Sequence, residues 1–261
     1  IIKEYFIIYM IKKITIIGSG NTATQLGLAW YNANIEIVQI LSRNKKSGEN
    51  LAKKLNSQFI QNLCNLENVD LIVICVNDDN ISEIAKSLPN VNIVHTSGNT
   101  SINILSNKKS YGVIYPVQSL NKDRKIDFKN IPICIEANSP ALEKKIIDLS
   151  KQISNNVIIL DSKQRKYLHL AAVIASNFSN YCYSIAKNIL DNENINFNLL
   201  NPLIQHTAQK NLNEHPINNQ TGPAKRGDKN TIKEHLSLLR DENYKKIYKL
   251  LSQNILEEHE H

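Results

Sequence analysis

Residues 13–23 read KITIIGSGNTA, a short apolar run rich in isoleucine that ends in a glycine turn. The turn, Gly18 to Ala23, has the form G-x-G-x-x-A. Behind a strand and at the head of a helix this form holds a phosphate. Gly18 permits the tight turn, Gly20 lets the backbone approach a pyrophosphate, and the small Ala23 lets the helix pack closely on the strand. The helix start then turns its unpaired N–H groups toward the anion.

Outward from this turn the pattern repeats. KITIIG, IEIVQILS, LIVICVN, VNIVHTSG, YGVIYPV, IPICIEA and VIILD are continuous apolar runs, as expected of strands buried on both faces of a parallel sheet. Helical spacing between them predicts helices over 21–32, 47–55, 81–88 and 140–153. Strand and helix in alternation give an α/β, Rossmann-like doubly wound sheet over residues 10–161. After Asp161 the strand signal stops. SKQRKYLHLAAVIASNFSNYCYSIAKNIL runs 29 residues without Gly or Pro, which predicts one helix of ~40 Å. Further helices are expected over 198–212, 229–240 and 243–255, so residues 162–261 read as an all-helical domain for substrate and dimer contacts. The long helix is apolar nearly all round in its middle. It must be enclosed by later helices or by a second subunit, and a homodimer is expected.

The 261 residues carry a formal charge of +7, with 42% hydrophobic and 21% charged residues. That is enough apolar material for a sizeable core. The basic pairs are scattered along the chain without interleaved aromatics, so no nucleic-acid interface is expected. Cys64, Cys75, Cys134 and Cys182 stand far apart with no C-x-x-C, which excludes a zinc site and a disulfide framework; no metal is expected, and reduced thiols fit the cytoplasm. The apolar run Tyr5 to Ile11 is seven residues, too short to span a bilayer, and no membrane partner is expected. Met10 is the one methionine and precedes the first strand, so translation is expected to begin there.

After the second expected strand an NAD-binding fold places an acid on the ribose 2′-hydroxyl. Here the residues are LSRN, and Ser42 and Arg43 are donors suited to a 2′-phosphate. NADP is therefore the expected cofactor. An S-adenosylmethionine-dependent transferase would also want an acid there.

The turn GSGNTA, the strand ends VND and VHTSG, YPVQSL, the helix HLAAVIASNF and above all QTGPAKRGD resemble a bacterial family of NADP oxidoreductases. Its members have an N-terminal Rossmann-like domain and a helical C-terminal domain of unknown function. The family is more distantly similar to pyrroline-5-carboxylate reductases and deazaflavin-dependent NADP reductases. The resemblance covers Met10 to about Ile255. By position it implies that Gly18, Ser19, Gly20, Asn21, Thr22 and Ala23 meet the pyrophosphate, Ser42 and Arg43 the adenosine phosphate, and Val76 and Asn77 the nicotinamide ribose, with Ser97 and Gly98 lining the same crevice. The residues agree on their own account, since Asn77 and HTSG at 95–98 end candidate strands, where such sheets bind ligands.

Within QTGPAKRGD, Gly222, Pro223 and Gly227 form turns and Asp228 can cap the next helix. Lys225 and Arg226 are left to hold an anion, either a substrate carboxylate or a cofactor phosphate. His95 reads equally as a substrate contact or as a satisfied histidine. On the long helix, His169 and Ser176 fall within ~20° of each other and Asn177 ~80° further round. They either bond to neighbouring helices or roof the crevice. In the second case His169 is the proton donor, Asn177 orients substrate, Ser176 contacts it and Lys166 favours an anionic ligand. Otherwise the catalytic group is His95 or Tyr115. Related two-domain dehydrogenases place a lysine four residues before the asparagine of this helix; the position here is Val173, which argues against a hydroxy-acid dehydrogenase mechanism. Two functions are left: an NADPH-dependent reductase of a small anionic carbonyl or imine compound, and a non-catalytic NADP(H) sensor.

Overall fold

The computed structural model describes residues 10–259. The expected start at Met10 concerns residues 1–9, which lie outside the described residues. The chain divides into two compact units, Ile1–Ser176 and Asn177–His261. This division falls later than the composition change at Asp161.

In the first unit, strands β1 (Lys13–Ile17), β2 (Glu36–Leu41), β3 (Gln58–Ile60), β4 (Leu71–Ile74), β5 (Asn92–His95), β6 (Ser110–Pro116), β7 (Ile133–Ala137) and β8 (Val157–Ile159) form one sheet of order β3-β2-β1-β4-β5-β6-β7-β8. Helices α1 (Asn21–Asn32), α2 (Lys45–Lys54), α3 (Asp78–Ser87) and α4 (Pro140–Lys151) connect it. All pairings are parallel except β6 with β7, which is antiparallel. The wholly parallel sheet expected from the apolar runs is corrected there, because a strand buried on both faces reads the same in either direction. The strand order reverses between β1 and β4, and the sheet opens a crevice at their carboxyl ends. Ile14, Ile16, Leu26, Trp30, Leu51 and Ile146 belong to one buried cluster, and Ile17, Ile72, Ile74, Ile81 and Ala85 to another.

The expected helix over 162–190 is continuous to Asp191 but not uniform. It comprises α5 (Ser162–Ala172), a π-helical stretch (Val173–Phe178) and α6 (Ser179–Asp191). A π turn takes up an extra residue, so positions beyond it rotate away from their place on a straight helix. Asp161 and Gln164 form a reciprocal capping box at its start. Arg165, fully buried, ion-pairs with Glu136 of β7 and donates to the Thr100 carbonyl, while the Ser162 hydroxyl donates to Glu136 Oε2 at 2.8 Å. These bonds fasten α5 to the first unit.

The second unit holds α6 with α7 (Asn201–Asn213), α8 (Pro223–Arg226), α9 (Lys229–Leu238) and α10 (Glu242–His259). Gly222 and Gly227, at φ 106° and 68°, bracket α8, so these glycines are turn formers as expected. Asp228 stands at the start of α9 but caps nothing with its side chain; it accepts from Arg226 instead. Among the described residues of this unit only Ala224 is buried, and Phe178, Leu203 and Leu250 are about 60% exposed. The enclosure expected for the long helix is thus not supplied within one chain.

Removing one member of a buried pair leaves the other charge stranded, at about 3–5 kcal/mol. Arg165→Ala is therefore expected to lower unfolding stability by about that amount in urea denaturation. Arg165→Met with Glu136→Leu should recover much of the loss; no recovery would show that the pair does more than fasten α5.

Candidate active site

Gly18 closes β1 at φ 118°, and a Cβ there would lie 2.2 Å from the carbonyl oxygen of Cys75, at the end of β4. Only glycine lets the two strand ends approach so closely. Gly20 differs. Its φ of −82° suits any residue, and an added Cβ would meet no protein atom within 4 Å. Its missing side chain serves the open space before α1, whose first N–H groups no side chain caps. Ala23 is fully buried beneath them. An open space, uncapped N–H groups and a helix dipole together fit a pyrophosphate.

Beside this turn lies a pocket of about 650 Å³ lined by Gly18, Ser19, Ser42, Arg43, Val76 and Asn77, among others. The Ser19 hydroxyl sits 2.8 Å from Ser42 Oγ and 2.7 Å from Ser47 Oγ. Asn44 caps α2 by accepting from the Ser47 N–H at 3.0 Å. A pocket of about 340 Å³, also reached by Ser19, brings Lys46, Lys54 and Lys122 around Ser47. The sequence reading missed Ser47 and Lys46. Their signal was there in RNKKS, donors in the first turn of a helix that follows the expected phosphate contact.

Toward β5 and β6 the crevice continues as a pocket of about 330 Å³, which shares Gly20, Cys75, Val76 and Asn77 with the larger one. Asn21, Thr22, Ser97, Gly98 and His169 line it, together with Asp78 and Tyr115. Ser97 donates to Asp78 Oδ2 at 2.8 Å and accepts the N–H groups of Asn99 and Thr100, so its hydroxyl braces the turn after β5. Tyr115 and His169 meet edge to face at 5.7 Å, with the phenolic oxygen 3.0 Å from His169 Nδ1. A Cβ on Gly98 would stand 2.7 Å from the His169 ring and 2.8 Å from the Tyr115 ring, so the pair needs glycine there. Burial pushes the Tyr115 phenol up.

The remaining expected residues are placed differently. His95 is fully buried under the turn, accepts the Ser97 N–H at 3.1 Å and lines no part of the crevice. Burial lowers its pKa to about 4, so it stays neutral; it sits at the strand end and away from the crevice, with Nδ1 bonded and the buried Nε2 without a partner. Ser176 bonds Ser119 Oγ at 2.8 Å. Lys166 is exposed and outside the lining. Asn177 opens the second unit. In that unit Lys225 donates to the Gln220 carbonyl and Arg226 pairs with Asp228 at 2.6 Å, so neither cation is free for an anion in this conformation. Among the described residues no cluster could hold a metal ion, and no helix is long and apolar enough to cross a membrane.

Residues 13–97 match the family described as NADP oxidoreductase coenzyme F420-dependent, and residues 131–255 match a domain of unknown function. A Bacteroides fragilis protein described as a "putative NADP oxidoreductase" is 36% identical, with a TM-score of 0.90 over 96% of this chain and 99% of its own. A Thermotoga maritima protein is 23% identical at a TM-score of 0.68, covering 95% of this chain and 98% of its own. An imine reductase from Myxococcus stipitatus, in complex with NADP+, is 17% identical at 0.64 over 94% and 92%, a likeness of fold. No curated protein matches the chain.

Gly98→Ala forces the Tyr115 and His169 rings apart. The expected cost is about 1–3 kcal/mol of stability, with a changed His169 ring signal in NMR. An unchanged ring signal would mean that the close approach of Gly98 does not hold the pair.

Proposed function

The chain belongs to the NADP oxidoreductase family represented by the Bacteroides fragilis protein, and we propose that it uses NADPH to reduce a small, anionic carbonyl or imine compound. The observation that carries this is the continuous crevice along the carboxyl ends of β1, β4, β5 and β6, with a phosphate cradle at one end and a proton-bearing pair at the other. The bound dinucleotide supplies a hydride. Gly18 to Ala23 hold its pyrophosphate, Ser42 and Arg43 its 2′-phosphate, and Val76, Asn77, Ser97 and Gly98 its nicotinamide half. His169 stands where a reduced oxygen or nitrogen needs a proton. For the anionic character of the substrate the one support is Lys166, an exposed cation one turn before His169 that stands outside the crevice lining. Asn177, Lys225 and Arg226 belong to the second unit and are left out of this reading. A pure sensor would have no use for a tyrosine–histidine pair beside the nicotinamide end, which favours the enzyme. Reduced thiols fit a cytoplasmic place for it.

The partner is a second copy of this chain. A helical unit that buries one alanine and leaves Phe178, Leu203 and Leu250 mostly exposed needs an apolar surface to cover it. The likeness to itself of a two-fold interface supplies that surface without any further component. Sedimentation is expected to give a dimer, which Leu203→Asp with Leu250→Asp weakens at least tenfold; a wild-type monomer at micromolar concentration would refute it.

Cofactor choice is tested at Arg43. NADPH should bind at least tenfold more tightly than NADH, and Arg43→Asp should remove most of that preference, since a bidentate donor becomes a like charge. Equal affinities in the unaltered protein would remove the 2′-phosphate contact. Keto acids, aldehydes and imines are then screened for loss of nicotinamide absorbance, and the reductase reading requires at least one of them to be turned over.

A further inference from the structure

Resting on that reductase reading, the geometry points to Tyr115, rather than His169, as the group that hands the proton to the substrate, with His169 as the positioning residue that restores it. Hydride addition to a C=O or C=N carbon leaves the oxygen or nitrogen short of one proton, and the lining offers few sources. The Ser97 hydroxyl is committed to Asp78 Oδ2, and Asp78 accepts there. The Cys75 thiol is buried and its pKa is pushed up to about 12. Thr96 donates to the Ile74 carbonyl at 3.4 Å, and Asn21, Asn77 and Gln118 carry amides that do not ionise. The Thr22 hydroxyl is an alcohol, far too weak an acid, which leaves Tyr115 and His169.

Between these two, the order follows from their shared hydrogen bond. The Nδ1 of His169 already faces the Tyr115 oxygen at 3.0 Å, so this nitrogen cannot also face substrate. Tyr115 stands near the carboxyl end of β6, is 9% exposed and lines the crevice. Burial makes it a weak acid, and Cys134 from β7 adds to that. Arg165 of α5, itself paired with Glu136, opposes the effect. Buried His95, kept neutral, adds no charge. In the step, the Tyr115 O–H bond breaks as an O–H or N–H bond forms on the substrate. His169, as the neutral Nδ1–H tautomer, passes that proton to the phenolate oxygen while its free Nε2 takes one from solvent, and the ring returns to the Nδ1–H tautomer by exchange with solvent before the next turnover. One proton is consumed in all, matching the one hydride added.

Two variants separate the roles. Tyr115→Phe should lower kcat at least 100-fold with KM and NADPH affinity within threefold, as expected for loss of a general acid. His169→Asn keeps an N–H donor on the same side chain but cannot ionise. It should lower kcat about tenfold with KM within threefold, a split that a merely structural histidine would not give. In nitrogen-labelled protein, Tyr115→Phe should shift the His169 ring signals and leave those of His95 in place. Retained turnover in Tyr115→Phe, or an unchanged kcat in His169→Asn, overturns the proposal. Unmoved His169 signals overturn it even where no substrate has been found, whereas moved signals with no turnover of any compound would fault the reductase reading alone.

Discussion

The buried pair of Arg165 and Glu136 is the interaction on which the site depends. Arg165 is fully buried, and charged groups in such places are held only by partners that meet most of their hydrogen-bonding capacity. Here Glu136 of β7 and the Thr100 carbonyl accept from it, as does Ser162 one turn earlier on α5 itself, while Nε is left without a partner. The consequence is positional. One helical turn beyond Arg165 stands His169, and the anchoring of α5 decides that its imidazole reaches Tyr115. The same guanidinium opposes the effect of burial on the phenol, so one residue sets both where the helix lies and what charge the crevice sees.

Two glycines show how the crevice is shaped by absence of side chains. Gly18 lets β1 lie against the Cys75 carbonyl and so closes the floor, while Gly98 leaves the room in which two rings meet. Between them Gly20 leaves room that no protein atom fills. The three positions differ in kind. The first two are required by the protein's own packing, and the third is required only by what the crevice receives.

The fold was legible because its signals are local. Apolar runs with helical stretches between them are read without knowing what packs where, and seven of the eight strands and the four helices between them follow from that rule. The eighth, Gln58–Ile60, has only Phe59 and Ile60 as apolar residues between Gln58 and Gln61, whereas the equally short β8 lies in the continuous run VIIL. The antiparallel turn of β7 left no trace either, because direction is not encoded in hydrophobicity. The glycine turn between β1 and α1 was legible for the same reason as the strands, since its residues are consecutive. The rest of the site was not. Tyr115 and His169 are 54 residues apart, and Arg165 and Glu136 are 29 apart, so their meeting depends on topology that composition cannot supply. His95 shows the converse: a histidine at the right strand end faced inward, where burial removes its charge.

Cys75 illustrates a further result of the close packing at Gly18. Its sulfur borders both halves of the crevice, next to where a hydride carrier would lie, yet it is 8% exposed and its thiol is pushed up to about 12. Thiolates, not thiols, react with peroxides and electrophiles. The strand contact that shapes the cradle therefore also passivates it, allowing a sulfur atom to sit in an electron-transferring cleft without becoming its point of chemical wear.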